Sequence, residues 1–338
     1  MFYDLNIPWP TCTVTAAPPT KKAKKTNTQA APTTIVPDLC GNPLDALSAN
    51  DRQRLTELTY ELSELGYATV AYNQTVYTKY DPSTHPNPFP LKSNVPFPKL
   101  DPRTRAQAGA PTSGASLTQL SRLTLVLDKD HAIKGGTGFV ATNSIALQKY
   151  DLLAAQPQTE ATFQHACTTL SELKPFSIDI ISLDLAAAPR LPFYLKRSTV
   201  GAALANGAVF EIDYSAAVDP SCDQKNVSVL RRNIFSGARD ILRVTNGKGV
   251  ILSSGARNAL GLRAPYDVMN LATLMGITPI AAKDTLSNTC KSLLVRARTR
   301  QTFRGAVSQP TLVRTPAPSD VRDATAMQGR KRRKQALF

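Results

Sequence analysis

Seven short apolar segments, spaced along the chain and separated by stretches of helical period, restrict what it can fold into. They are "FYDLNIP" (2–8), "YATVAYNQTVY" (67–77), "RLTLVLD" (122–128), "YDLLAAQ" (150–156), "IDIISLDL" (178–185), "VFEIDY" (209–214) and "GVILSSG" (249–255). Helical stretches fall between or after them at about 50–65, 159–173, 197–206, 227–245, 266–276 and 279–298. Near-continuous apolar runs belong to strands buried on both faces, and strands that alternate with helices pair in parallel beneath a helical layer. Seven such units suit a closed or nearly closed barrel better than a doubly wound sheet, and no G-x-G-x-x-G or P-loop pattern marks a strand–helix turn. The expected fold is therefore α/β, a TIM-like β/α barrel over residues 1–304.

Two long segments interrupt this alternation. Residues 10–47 are polar and rich in Pro, Thr and Ala, with "KKAKK" at 21–25, and residues 78–115 are proline-rich without periodicity. Both are expected to be flexible, disordered insertions. Between them, Leu55, Leu58, Leu62 and Leu65 fall on one face of a helix that Gly66 should end. Residues 305–338 are poor in large apolar groups and are expected to form a disordered basic tail.

The net charge of +15 is unevenly spread. Residues 291–338 hold twelve Lys/Arg against two Asp, and residues 190–263 hold eleven basic against five acidic residues. Residues 116–189 are slightly acidic, with five basic and seven acidic residues. Positive charge gathered in the later half suits a fold with one side turned to a polyanion, although a tail can be basic simply to stay solvated. No apolar run approaches a membrane span, and "MFYDLNIPWP" lacks a secretory pattern. Five scattered cysteines without a C-x-x-C pair read as reduced thiols in an intracellular protein.

The strings "FYDLNIP", "LPFYLKRS", "VFEIDYS", "RRNIFSGARDILRVTNGKGVILSSGA" and "RAPYDVMNLATLMGI" resemble, in order, the thirty-kilodalton protein subunit of ribonuclease P and ribonuclease MRP. The resemblance spans residues 1–9 and about 120–304. It implies a barrel related to the metal-dependent PHP phosphoesterases, serving as a non-catalytic RNA-binding subunit of an RNA enzyme that removes the 5′ leader of precursor tRNA. The expected partners are ribonuclease P RNA, ribonuclease MRP RNA and other subunits, including a small α/β protein, with precursor tRNA met indirectly and no membrane. No cofactor is expected on the protein, and Mg²⁺ is expected on the catalytic RNA. The alternative is a residual PHP-like phosphoesterase acting alone. The expected location is the nucleus and nucleolus, with Arg330, Lys331, Arg332, Arg333 and Lys334 as a localisation patch that could also bind RNA.

The candidate chemistry favours binding over catalysis. A PHP-type metal site needs several histidines and carboxylates at strand ends. The three histidines are His85 in the proline-rich segment, His131 past a strand and His165 in a helix. Where such enzymes resemble H-x-H, this chain has Asp4 and Asn6, alternate residues expected to point the same way. Asp184 and Asp213 are strand-end acids expected to pair with arginines. Ser253 or Ser254 as nucleophile would need a base, and no histidine follows them. They either satisfy strand-end backbone groups or hold a phosphate with Arg257 and Arg263; phosphate contact is the expectation. In 228–245, Leu230, Ile234, Gly237 and Ile241 form a buried stripe. Arg232, Arg239 and Arg243, with Arg231 beside them, are expected to face RNA phosphates, as are Lys196 and Arg197. Phe193 and Tyr194 could stack on a base, with at least one of them used in the core.

Overall fold

In the computed structural model, which describes residues 1–10, 42–91, 94–107, 116–128, 136–219 and 227–302, seven strands lie side by side in chain order. They are β1 (Phe2–Pro8), β2 (Tyr67–Tyr77), β3 (Thr118–Leu127), β4 (Leu152–Pro157), β5 (Ile180–Ser182), β6 (Val209–Asp213) and β7 (Val250–Ser253), and every neighbouring pair is parallel. Each step needs a crossover of the same hand, so the sheet curls round until β1 and β7 meet. Across that seam Gly255 N–H donates to the Asn6 carbonyl at 3.0 Å, and Ser254 N–H donates to Asp4 Oδ1 at 3.1 Å. These bonds stand in place of a full ladder, so the barrel is nearly closed.

The helices are α1 (Ala49–Glu64), α2 (Pro102–Gln107), α3 (Ser144–Leu147), α4 (Glu160–His165, continued by a π-helical turn over Ala166–Leu170), α5 (Arg197–Ala205), α6 (Ser215–Val218), α7 (Val227–Thr245), α8 (Pro265–Met275), α9 (Pro279–Leu286) and α10 (Asn288–Gln301). The Ser48 hydroxyl caps α1 by accepting from Asp51 N–H, and the helix ends where Gly66 turns left-handed at a φ of 87°. Its buried Leu55, Leu58 and Leu62 pack against Tyr67 and Val70 of β2. The single helix expected over 279–298 is two. Ser287 leaves helical geometry at φ −130° and ψ −83°, and its hydroxyl donates to the Lys283 carbonyl.

That break directs α10 beneath the barrel. Cys290, Leu293 and Ala297 join Tyr3, Leu5, Leu120, Leu152, Ile180, Val209 and Ile251 in one buried cluster, so α10 forms the floor at the N-terminal ends of the strands. Two arginines fix it there. Asp179, just before β5, takes Arg296 at 2.7 Å and Arg300 at 3.1 Å, and also accepts from Leu153 N–H.

Above the floor the interior turns polar. Arg122 of β3 crosses to Glu211 of β6 through two hydrogen bonds of 2.5 Å, and both side chains are fully buried. The same guanidinium donates to the Leu5 carbonyl at 2.7 Å and to Thr124 Oγ1 at 3.1 Å.

The second insertion differs from the expectation of a flexible segment. Tyr80, Phe89, Val95 and Phe97 are buried. The Asp101 carboxylate accepts from Gln119 N–H and from Arg103, while the Gln119 amide pairs with both the N–H and the carbonyl of Phe97. Single apolar and polar anchors tie this stretch to β3 without any period a sequence could display. The first insertion, apart from its two ends, and the C-terminal tail lie outside the described residues.

A buried pair broken on one side leaves an uncompensated charge. Glu211→Gln should therefore lower unfolding free energy by about 3–5 kcal/mol, whereas the paired replacement Arg122→Met with Glu211→Leu should be far milder. Urea denaturation of the two variants checks this, and equal losses would show that the ion pair itself holds the barrel.

Candidate nucleic-acid interface

A chain of hydrogen bonds climbs from the ion pair to the barrel mouth. Thr124 Oγ1 donates to Asn73 Oδ1 at 2.7 Å, Asn73 Nδ2 donates to Asn6 Oδ1 at 2.7 Å, and Asn6 Nδ2 donates to Asp213 Oδ1 at 3.0 Å. Asp4 is not part of it, contrary to the expectation that Asp4 and Asn6 point the same way. The register of β1 on β2 shifts between Asp4 and Ile7, so an extra residue breaks the two-residue alternation. Asn6 joins the interior chain, and Asp4 turns to the seam.

The strand-end acids also differ from expectation. Asp213 bonds the Asn6 amide rather than an arginine, and burial, reinforced by Glu211, pushes its carboxyl well above the usual range against the opposing pull of Arg122 and Asn6. Asp184 is exposed and accepts from the N–H groups of Ala186 and Ala187. Among the described residues, no group of three or more His, Cys, Asp or Glu side chains is placed to hold a metal ion. His85 sits in the second insertion beside Thr84, His165 ends α4, and His131 lies outside the described residues.

The phosphate cradle expected at the end of β7 is not formed by its serines. Ser253 and Ser254 are 1% and 0% exposed. Ser254 gives its N–H to Asp4, and its hydroxyl accepts from Ala256 N–H at 3.2 Å. The carbonyls of Ser253 and Ser254 accept from Tyr214 and Ser215, tying β7 to the end of β6. Strand-end backbone satisfaction, the other reading, holds for the Ser254 hydroxyl, whereas the buried Ser253 Oγ has no hydrogen-bond partner among the described residues. Arg263 is committed as well: its guanidinium donates to the carbonyls of Leu260, Leu262 and Val218. Arg231, although exposed, spends its Nε on the Ala217 carbonyl. Arg257 is exposed just beyond β7.

The outer side of the barrel presents the other cations. Helix α7 buries Asn233, Ile234, Gly237, Ala238, Ile241, Leu242 and Thr245, with Leu230 half-buried, and exposes Arg232, Arg239 and Arg243. Gly237 allows the helix to sit tightly on the end of β5: a Cβ there would lie 2.8 Å from Leu185 Cδ2. Asn233 Nδ2 reaches the Ala186 carbonyl at 3.2 Å, fixing the loop that follows β5 to the same helix. Arg243 meets Asp240 at 3.5 Å in an exposed pair of the kind worth little. At the start of α5, Lys196 pairs with Glu160 at 2.6 Å and Arg197 is exposed. Phe193 is buried and stacked on Phe163 with ring centroids 4.7 Å apart, while Tyr194 is exposed. The localisation patch at 330–334 lies outside the described residues.

Sequence reasoning passed over Arg122 and Glu211, which organise the interior. Their signal was available: a cation within "SRLTLVL" and an anion within "VFEID", two largely apolar strings, each need a partner if buried.

The family described as RNase P subunit p30 matches residues 1–302 of the chain. Ribonuclease P protein subunit p30 of Mus musculus is 29% identical over 282 residues, covering 83% of this chain and 93% of that protein. Ribonuclease P/MRP protein subunit RPP1 of Saccharomyces cerevisiae is 25% identical over 300 residues, covering 89% and 82%. A chain in a solved structure of archaeal ribonuclease P with mature tRNA is similar at a TM-score of 0.48 and 12% identity, over 78% of this chain and 95% of that one.

The seam carboxylate gives a pH prediction. Burial pushes the Asp4 carboxyl from 3.8 up to about 6, and the hydrogen bonds from Ser254 and Asn6 only partly oppose it. The folded state then holds this proton more tightly than the unfolded chain does. The group's contribution is most favourable below pH 4 and is lost as pH rises from about 4 to 6, a change of about 3 kcal/mol. Asp213 is shifted in the same direction. Asp4→Asn keeps an acceptor for Ser254 N–H and removes the charge, so stability at pH 7 should be equal or higher and the slope between pH 4 and 6 smaller. Thermal unfolding across that range checks it. A large drop in stability at pH 7 with the slope unchanged would mean that the charge itself closes the seam.

Proposed function

Because the chain belongs to the RNase P subunit p30 family, it is a protein subunit of ribonuclease P and not the catalyst, and we propose that its basic outer face holds the particle's RNA. One observation supports this most directly: α7 keeps Arg232, Arg239 and Arg243 exposed opposite a buried stripe, with the weak Asp240 contact on one of them. A guanidinium row of this kind suits a phosphate backbone, since each fork can grip two phosphate oxygens. Lys196, Arg197 and Arg257 extend the same charge around the rim at the C-terminal ends of β5 and β7. Arg231 and Arg263 shape loops, and Ser253 and Ser254 shape the seam.

In this reading the barrel braces catalytic RNA that carries its own Mg²⁺, and the protein binds no cofactor. Precursor tRNA is met through the particle rather than held by this chain. Service in ribonuclease MRP as well agrees with the name of the Saccharomyces cerevisiae relative. A small α/β subunit is the proposed protein neighbour. The basic run Arg330–Lys334 is the proposed route to the nucleus and nucleolus.

A salt titration tests the RNA face. Arg239→Glu with Arg243→Glu should weaken binding to the particle's RNA without unfolding the barrel, because both residues are exposed. For each phosphate that is no longer neutralised, the log–log salt slope should fall by about one. Ser254→Ala should leave that slope unchanged. Unaltered affinity and slope in the double arginine variant would reject α7 as the RNA face.

A further inference from the structure

Between β5 and α5 runs a loop whose side chains, at residues 193–195, face alternately in and out. Phe193 and Leu195 are each 7% exposed, and both belong to the main core cluster, whereas Tyr194 between them is 69% exposed. Phe193 is stacked on Phe163, and the loop's beginning is fixed to α7 by the Asn233 amide. The Tyr194 backbone is thus held on both sides. Its ring makes no aromatic or hydrogen-bonding contact among the described residues.

The charge around that ring selects the partner. Arg190 and Lys196 on the same loop and Arg197 at the start of α5 are exposed, and the one acidic residue of the loop, Asp184, lies at its beginning and accepts from Ala186 and Ala187 N–H. Lys196 stands at the N-cap position of α5 without a side-chain cap bond and Arg197 opens the helix, with no acidic side chain in the first turn. Cations are thus gathered at the helix end that already carries positive potential, an arrangement unfavourable for the helix alone and favourable toward an anion. The Glu160 contact to Lys196 lies in solvent on both sides and exchanges readily for a phosphate. An exposed aromatic ring whose chain neighbours are buried, with cations near it in sequence, matches the way single-stranded nucleic acid is bound, with bases stacked on rings and phosphates on Lys and Arg.

We infer that Tyr194 is a stacking platform for an unpaired base of the bound RNA, with Lys196, Arg197 and Arg190 taking the flanking phosphates. This rests on the reading of the chain as an RNA-binding subunit and adds the state of the RNA that this loop takes: single-stranded, with a base turned out. Because the neighbours of Tyr194 are already buried, little ordering of the loop accompanies binding.

The test uses the full chain and two probes, a short single-stranded oligouridylate and an abasic ribose-phosphate strand of the same length. Tyr194→Ala is expected to weaken the oligouridylate by roughly ten-fold, the value of one base–aromatic stack, and to leave the abasic strand unchanged. Tyr194→Trp should retain affinity, and the oligouridylate should quench the new indole. Lys196→Gln with Arg197→Gln should weaken both probes. If Tyr194→Ala binds oligouridylate as the unaltered chain does, or weakens both probes equally, the stack is overturned. The separate charge reversal at Arg239 and Arg243 then shows whether the RNA reading survives. If the alanine variant keeps its RNA affinity but fails to hold a protein subunit in the reconstituted particle, the ring serves a protein partner and the inference fails.

Discussion

An arginine and a glutamate meeting inside a barrel set the pattern for the rest of this structure. Barrels of this kind ordinarily fill their interior with branched apolar side chains. Removing two charges from water is opposed by several kcal/mol for each, and the pair is tolerable only when its remaining donors and acceptors are used. Arg122 meets that condition by reaching β6 through Glu211, β1 through the Leu5 carbonyl and its own strand through Thr124. Its direction then propagates. Thr124 accepts from the guanidinium and so donates to Asn73, which fixes the Asn73 amide to donate to Asn6, which in turn donates to Asp213. Every bond in the row points the same way, from a permanent donor to a carboxylate, and no member can be reversed alone.

The row from Arg122 to Asp213 uses up most of the polar groups at the centre of the barrel. At the mouth the Asn6 amide is spent on Asp213 and Ser254 serves the seam, while Asp4 Oδ2 and Ser253 Oγ are buried without a hydrogen-bond partner among the described residues. The exposed cations lie outside the barrel, on α7 and on the loop before α5. The two surfaces are not independent: Asn233 and Gly237, on the buried side of α7, settle that helix against Ala186 and Leu185 at the end of β5. The helix that bears the arginines therefore also holds the loop that bears Tyr194.

Much of the architecture was legible because it rests on hydrophobic period. The apolar strings marked all seven strands, and β3 alone begins several residues earlier than its apolar run suggested, since Thr118 pairs with Thr69 of β2 and Leu117 and Gln119 are held by the second insertion. The stripe on α7 was legible for the same reason. What escaped was decided by single contacts. Ser287 breaks a helix whose period continues through it, and one extra residue in β1 separates Asp4 from Asn6. The anchors Phe89, Phe97 and Asp101 have no spacing rule to announce them. The "SSGA" turn has the composition of an anion site, and only its distance from solvent distinguishes it from one.

The floor formed by α10 has a consequence for the order in which the protein becomes a protein. Tyr3 and Leu5, near the start of the chain, rest against Cys290, Leu293 and Ala297 near the end of its described part. The bond from Ser254 to Asp4 spans 250 positions. A ribosome making this chain releases β1 with nothing to complete it, and the barrel interior stays open to water until residues 288–301 have emerged. Contacts of such long range close slowly. During that interval the lower ends of the strands, which α10 will cover, stay exposed to other chains in the cell. The barrel floor is therefore the part of the core that residues 288–301 must arrive to complete.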